Sequence, residues 1–206
     1  MLTKKQFKIL NIFQENEFKE ISWKGVKELA KEKSSSVIQN AIKSFLNENL
    51  IIEKKIGTSK LYTVNHNNSK IYTYFEIYNK DNLPKQVLKS IKELEESLNK
   101  HTLFYSIVLF GSYSRGKQNK DSDLDLAVFI EGEDKRKIIE AVFKSMEIKS
   151  LIKFDGHVIT KNEFLEMLKA NYENLGKEIA RKHLTTHNSF IFYSLLKEGI
   201  KNGFQL

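Results

Sequence analysis

Two aspartates stand at the head of an otherwise apolar strand: residues 123–130 read Asp-Leu-Asp-Leu-Ala-Val-Phe-Ile. Aspartate is depleted in strands because its short charged side chain fits a half-buried pleat badly. Residues two apart in a strand share a face, so Asp123 and Asp125 point the same way while Leu124 and Leu126 turn into a core. Two like charges side by side repel unless a cation or a shared proton relieves them. Upstream, the apolar run ending Val108-Leu-Phe breaks into Gly111-Ser-Tyr-Ser-Arg-Gly116, and a polar loop leads from there to the aspartates.

The rest of residues 102–206 gives that strand its setting. Strands are expected over 103–110, 123–130 and 151–160, with a helix over 134–150 between the last two. Thr160 and Glu163 form a capping box that opens another helix, and helical stretches follow around 172–182 and 188–199. Strands alternating with helices, then a helical tail, indicate a compact α/β or α+β domain.

Residues 1–66 follow a different pattern. Thr3 and Gln6 form a capping box, and Phe7, Leu10 and Phe13 recur at helical spacing. Ser22 can cap a second helix with Val26, Leu29 and Ala30 inward. Ser34-Ser35-Ser36 precedes a third, with Val37, Ile38, Ala41, Ile42 and Phe45 inward. Two β-like runs, 50–56 and 60–65, are joined at Gly57-Thr58-Ser59, a hairpin signal. Three short helices followed by a basic hairpin resemble a winged helix-turn-helix. That resemblance implies a third helix in a major groove, presenting Ser35, Ser36, Gln39, Asn40 and Lys43. Gln and Asn can pair with adenine, and Lys can reach guanine or phosphate. Lys54, Lys55 and Lys60 of the hairpin would meet the backbone. Docking of a protein or a second copy is the other use of such a module.

Charge agrees with a phosphate-rich partner. Residues 1–66 hold 12 Lys and 7 Glu, a net of +5, out of +8 for the whole chain. Between the two patterns, residues 67–101 carry Ile71, Tyr74, Phe75 and Tyr78, then Pro84 in a helix's first turn, then Leu83, Val87, Ile91, Leu94 and Leu98. This stretch reads as a connecting or dimer-forming helical segment. There is no cysteine among the 206 residues, so disulfides and thiolate metal sites are excluded and His and carboxylates are the available ligands. No apolar run approaches the ~18 residues a membrane span needs, and the first ten residues lack a signal peptide's apolar core. A cytoplasmic protein with no membrane partner is expected.

The chemistry concentrates around the opening feature. Gly111 lets the backbone turn and admits a ligand. Ser112 is a favoured N-cap, and a helix starting there would aim free N–H groups at an anion. Arg115 and Lys117 add positive charge. The carboxylates of Asp123 and Asp125 suit Mg²⁺, which also takes phosphate oxygens. Asp155 interrupts another apolar strand between Phe154 and Gly156. It supplies a third carboxylate, and two ions held ~3.5–4 Å apart could clamp an in-line displacement at phosphorus. Asp121 reads as a solvated or capping residue in the loop, and His157 as a neighbour of Asp155 rather than a ligand. His183 and His187 are expected in a loop before a cap at Asn188, not as a metal pair.

Residues 111–128, with the run Lys153-Phe-Asp-Gly-His-Val-Ile159, resemble the signature of the DNA polymerase β nucleotidyltransferase superfamily, in particular its minimal prokaryotic domains. The resemblance implies an α+β chain: a winged helix over 1–66, a helical connector over 67–101, and a C-terminal nucleotidyltransferase-like α/β domain over 102–206 with a small mixed sheet and helical tail. It implies that Gly111 and Ser112 bind the β- and γ-phosphates of an NTP, with Arg115 and Lys117 as further phosphate contacts. It implies that Asp123 and Asp125 ligate two Mg²⁺ ions (Mn²⁺ could replace them). Asp155 would ligate the catalytic ion and favour the attacking oxygen as an alkoxide. Ser114 stands where alanine is common. ATP is the expected NTP. The acceptor hydroxyl belongs to a protein such as a toxin partner, an RNA end or a small molecule, and homodimerisation stays open. The alternative is a DNA-binding regulator or antitoxin that senses nucleotide without turnover.

Overall fold

The computed structural model describes residues 2–119, 122–150 and 152–206; Asp121, expected in the polar loop, lies outside the described residues. The chain divides into two compact units, residues 1–78 and 79–206.

In the first unit, α1 (Lys4–Glu15) opens on the Thr3–Gln6 capping box. The two-residue strand β1 (Ile21–Ser22) leads into α2 (Trp23–Ala30), where Ser22 Oγ accepts from the Gly25 N–H. Next come α3 (Ser35–Asn47) and the hairpin β2 (Ile51–Ile56) and β3 (Ser59–Val64), and the three strands form an antiparallel sheet in the order β1-β3-β2. Phe13 and Phe45 meet edge to face at 6.2 Å, joining α1 to α3. Leu29 departs from expectation: it is 53% exposed. On a helix of only two turns, Val26 and Ala30, four apart, define the inner face, and Leu29 falls on its flank. Helix α4 (Lys70–Asn82) sets Tyr74 and Tyr78 against Phe7 of α1, with ring centroids at 5.7 and 6.4 Å, before its end passes into the second unit.

The second unit is built on a four-stranded mixed sheet. After α5 (Lys85–Leu98), its elements are β4 (Tyr105–Leu109), the single turn α6 (Gly111–Ser114), β5 (Leu124–Ile130), α7 (Arg136–Lys149) and β6 (Phe154–Thr160). Then follow α8 (Lys161–Lys169), α9 (Leu175–Arg181), β7 (Leu184–His187) and α10 (Ser189–Lys201). The strand order is β6-β5-β4-β7, with β5 and β6 parallel and the other pairs antiparallel. Helix α7 supplies the crossover that a parallel pair requires. One sheet face, with Leu124, Leu126, Val128 and Phe154, packs into a core with Val87, Ile91 and Leu94 of α5 and Ile139 and Phe143 of α7. The opposite face turns Phe129 toward Phe164 of α8 and Phe192 of α10, at 4.9 and 5.2 Å. The Thr160–Glu163 capping box forms as expected.

Three expectations are corrected. Strand β4 begins at Tyr105, leaving Leu103 and Phe104 exposed. Residues 184–187 are an edge strand rather than a loop. Asn188 occupies the N-cap of α10 with φ +47° but makes no capping bond; its Nδ2 donates instead to the Tyr105 carbonyl at 2.9 Å, tying helix to sheet.

Candidate functional site

Parallel pairing of β5 with β6 sets Asp125 directly across from Asp155. Asp123 precedes β5 by one residue and shares Asp125's parity; Lys153 and His157 share that of Asp155. The backbone register extends past the strand ends, because the Leu124 N–H donates to the Lys153 carbonyl at 2.8 Å. One sheet edge therefore carries three carboxylates, an ammonium and an imidazole. Leu124 and Leu126 behind them are fully buried.

The turn after β4 closes on this edge. Gly111 has φ +60°, in the left-handed region, and a Cβ there would stand 1.8 Å from Asp125 Oδ2 and 2.6 Å from its Cγ. Only glycine admits that approach. The Ser112 N–H then donates to the Asp125 carboxylate. Burial pushes the Asp125 carboxyl above the usual aspartate range; the Ser112 amide pulls it down, and Asp155, Asp123 and Glu178 push it up again. The helix expected at Gly111 is a single turn, and Phe110, not Ser112, holds its N-cap position. With only four residues, and the Ser112 amide already engaged by Asp125, the turn offers no extended helix dipole.

Each other candidate has a partner. Lys153 Nζ lies 2.7 Å from Asp123 Oδ2, which raises the Lys153 pKa through that hydrogen bond and its charge. His157 Nε2 lies 3.3 Å from Asp155 Oδ1. The Arg115 guanidinium donates to Glu178 of α9 at 2.5 Å. Ser114, buried, donates to the Gly111 and Lys182 carbonyls, at 3.0 and 3.3 Å. The turn is thus tied to α9 through Glu178 and to the C-cap of α9 through Lys182. Lys117 is exposed, and its N–H donates to the Ser112 carbonyl at 3.0 Å.

Among the described residues, no group of three or more His, Asp or Glu is gathered to hold a metal ion. With Asp123 drawn to Lys153, the carboxylates that the strand register sets side by side are Asp125 and Asp155. Their donor chemistry, carboxylate oxygens beside a glycine cradle, fits a hard divalent cation. His183 and His187 go to different surroundings. His183 is half-buried, packs edge to face against Phe192 and Tyr193, and donates to the Ile179 carbonyl. His187 stacks on Tyr105 at 4.5 Å.

Lys153 and Glu178 went unnoticed in the sequence. Lys153 was legible, because it stands two residues before Asp155, just ahead of the strand and on the same face. Glu178 reaches the site from 63 residues beyond Arg115, with no local signal.

In the first unit, Ser35, Ser36, Gln39, Asn40 and Lys43 all lie on the exposed face of α3, opposite buried Ile38, Ala41, Ile42 and Phe45. Lys27 Nζ donates to Ser35 Oγ at 2.8 Å, and the Ser36 and Ser34 hydroxyls are 2.9 Å apart. On the hairpin, Lys55 is exposed, whereas Lys54 pairs with Glu20 at 2.8 Å and Lys60 with Glu53 at 3.0 Å. Carboxylates of the same unit offset two of the hairpin's cations.

The chain belongs to the nucleotidyltransferase domain family, whose pattern matches residues 85–192 and so takes in the mixed sheet, its paired aspartates and the Gly111 turn. The match runs from the first residue of α5 into α10. The chain is 34% identical over 83 residues to "Putative protein adenylyltransferase MJ1215" of Methanocaldococcus jannaschii, covering 36% of this chain and 93% of that protein. It is 42% identical over 48 residues to "Putative protein adenylyltransferase MJ1379" of the same organism, covering 20% of this chain and 48% of that one. No helix among the described residues is long and apolar enough to cross a membrane.

Proposed function

We propose that this chain transfers a nucleoside monophosphate from an NTP to a hydroxyl acceptor, with divalent metal, at the edge formed by β5 and β6. The observation that carries the proposal is the register pair Asp125–Asp155, with Asp123 on the same face and the Gly111 turn closed against it. In this reading Asp123, Asp125 and Asp155 hold Mg²⁺ or Mn²⁺, which would neutralise charge on the triphosphate and lower the pKa of the acceptor oxygen. Gly111 and Ser112 receive the β- and γ-phosphates, and Arg115 and Lys117 pair with them. The acceptor oxygen attacks the α-phosphorus, the bond from that phosphorus to the bridging oxygen breaks, and pyrophosphate departs. The acceptor's proton passes toward Asp155, whose exposed side chain opens to solvent.

The relatives' names favour ATP as donor and a protein hydroxyl as acceptor. Residues 1–66 act in this proposal as a winged helix that binds DNA through Ser35, Ser36, Gln39, Asn40, Lys43, Lys54, Lys55 and Lys60 and so localises or regulates transfer. A regulator that binds nucleotide without turnover is the second reading, favoured by the pairing of Asp123 with Lys153 and of Arg115 with Glu178.

Two ATP preparations, labelled at the α- or γ-phosphorus, incubated with Mg²⁺ and cell extract, test the transfer. Label reaching a macromolecule from the α-position alone supports nucleotidyl transfer; label from the γ-position would mean phosphorylation. DNA affinity measured against salt tests the first unit. Contacts to phosphate give a slope of log K on log salt of about −0.9 per neutralised phosphate, and a flat line would remove DNA from the account.

A further inference from the structure

The contact between Lys153 and Asp123 asks for a purpose. Lys153 is held at its backbone by the bond from the Leu124 N–H, while its side chain is 79% exposed and free to swing on a four-carbon stem. Its ammonium rests 2.7 Å from Asp123 Oδ2, on the sheet edge that also carries Asp125 and Asp155. That is the position where a divalent cation bound to Asp123 would have to come. A compact monovalent cation on a flexible tether is suited to occupy such a position reversibly.

Building on the transfer reading, we infer that Lys153 is an exchangeable counter-ion of the site: it neutralises Asp123 until metal arrives, then yields the carboxylate and turns its charge to the triphosphate. Its anchored backbone would keep the ammonium beside the same edge after the exchange, on the side where the triphosphate would bind. The residue therefore competes with one ligand and helps the other, and the inference predicts opposite signs for the two. An exposed ion pair is worth up to about fivefold in an equilibrium, so changes of that size are expected. Arg115 with Glu178 is arranged comparably for the anion, but the inference rests on Lys153 alone.

The test uses the full chain with Lys153→Met, which keeps the stem and removes the charge, and Lys153→Arg, which restores it. Lys161→Met serves as control, since Lys161 forms an exposed pair with Glu198 at 3.1 Å elsewhere in the unit. Mn²⁺ binding without nucleotide is measured by electron paramagnetic resonance. Binding of a non-hydrolysable ATP analogue in saturating Mg²⁺ is measured by calorimetry. Lys153→Met should bind Mn²⁺ about threefold to fivefold more tightly and the analogue about threefold to fivefold more weakly, with Lys153→Arg near wild type in both. If wild type binds both ligands and Lys153→Met shifts neither, or shifts both in the same direction, the exchange role is overturned while the transfer reading stands. If wild type binds neither, the transfer reading fails and the inference falls with it.

Discussion

Replacing Gly111 by alanine should damage the site far more than replacing Gly116, although the two glycines share a backbone conformation, φ +60° and +61°. An L-residue in the left-handed region costs roughly 1–2 kcal/mol at either position. Around Gly116 a Cβ would meet nothing within 4 Å, so that is its whole cost. At Gly111 the Cβ would stand 1.8 Å from Asp125 Oδ2, 2.6 Å from Cγ and 3.2 Å from Cβ. Rotating the carboxylate away is not enough, because the side chain is blocked along its length. To reach the ~3 Å of a real contact, Asp125 must retreat by roughly 1.2 Å, and a displacement near 1 Å at a reacting group can cost about 10²-fold in rate. The overpacking adds about 1–3 kcal/mol of destabilisation. Urea denaturation and α-label transfer would be measured for both variants. Gly111→Ala should be less stable than Gly116→Ala by about 1–3 kcal/mol and lose transfer by about 10²-fold, with Gly116→Ala transferring near wild type. Equal stability and equal activity in the two variants would refute the claim that the turn is closed against Asp125.

Two further predictions concern pH. The Asp125 carboxyl is raised by burial and by neighbouring carboxylates, so its contribution to stability is present below the ordinary aspartate range and lost as pH rises through the folded value. Asp125→Asn should therefore stabilise the metal-free chain at pH 7 and give no gain below the ordinary aspartate range; denaturation curves with chelator at both pH values check this. His183 is pushed down to about 4 by burial, against a weaker opposing pull from the Ile179 and Ala180 backbone. Its imidazole should remain neutral from pH 7 to pH 5 by nuclear magnetic resonance. Its share of stability, up to about 3 kcal/mol, should fade between pH 6.5 and pH 4, as the unfolded chain takes up the proton first. An imidazole titrating near 6.5 would contradict its desolvation by Phe192 and Tyr193.

What could be read from the sequence followed the range of the interactions. Capping boxes at Thr3 and Thr160 act over three residues, and both form. The parity of Asp123 and Asp125 follows from the pleat, and Leu124 and Leu126 are buried behind them. The parallel register that sets Asp155 beside Asp125 joins strands 30 residues apart, and the sequence offered Asp155 only as an awkward carboxylate in an apolar run. The sequence around Leu184–His187 suggests a loop, because a four-residue strand with two threonines carries too little apolar pattern to announce itself. The turn at Gly111 was expected to open a helix capped by Ser112; instead its geometry is set by Asp125, by Ser114 reaching Lys182 and by Arg115 reaching Glu178. Those contacts span 14 to 68 residues, beyond any local signal.

Nucleotidyl transfer at the acidic edge of β5 and β6 would consume ATP and release pyrophosphate. Pyrophosphate release from ATP and Mg²⁺, with cell extract as the source of acceptor, tests it most directly when wild type is compared with Asp123→Ala/Asp125→Ala. Wild type should release pyrophosphate only when acceptor is present, and the double variant should lose that release while remaining folded by circular dichroism. Tight nucleotide binding by wild type without any release, or release that survives the double substitution, would contradict it.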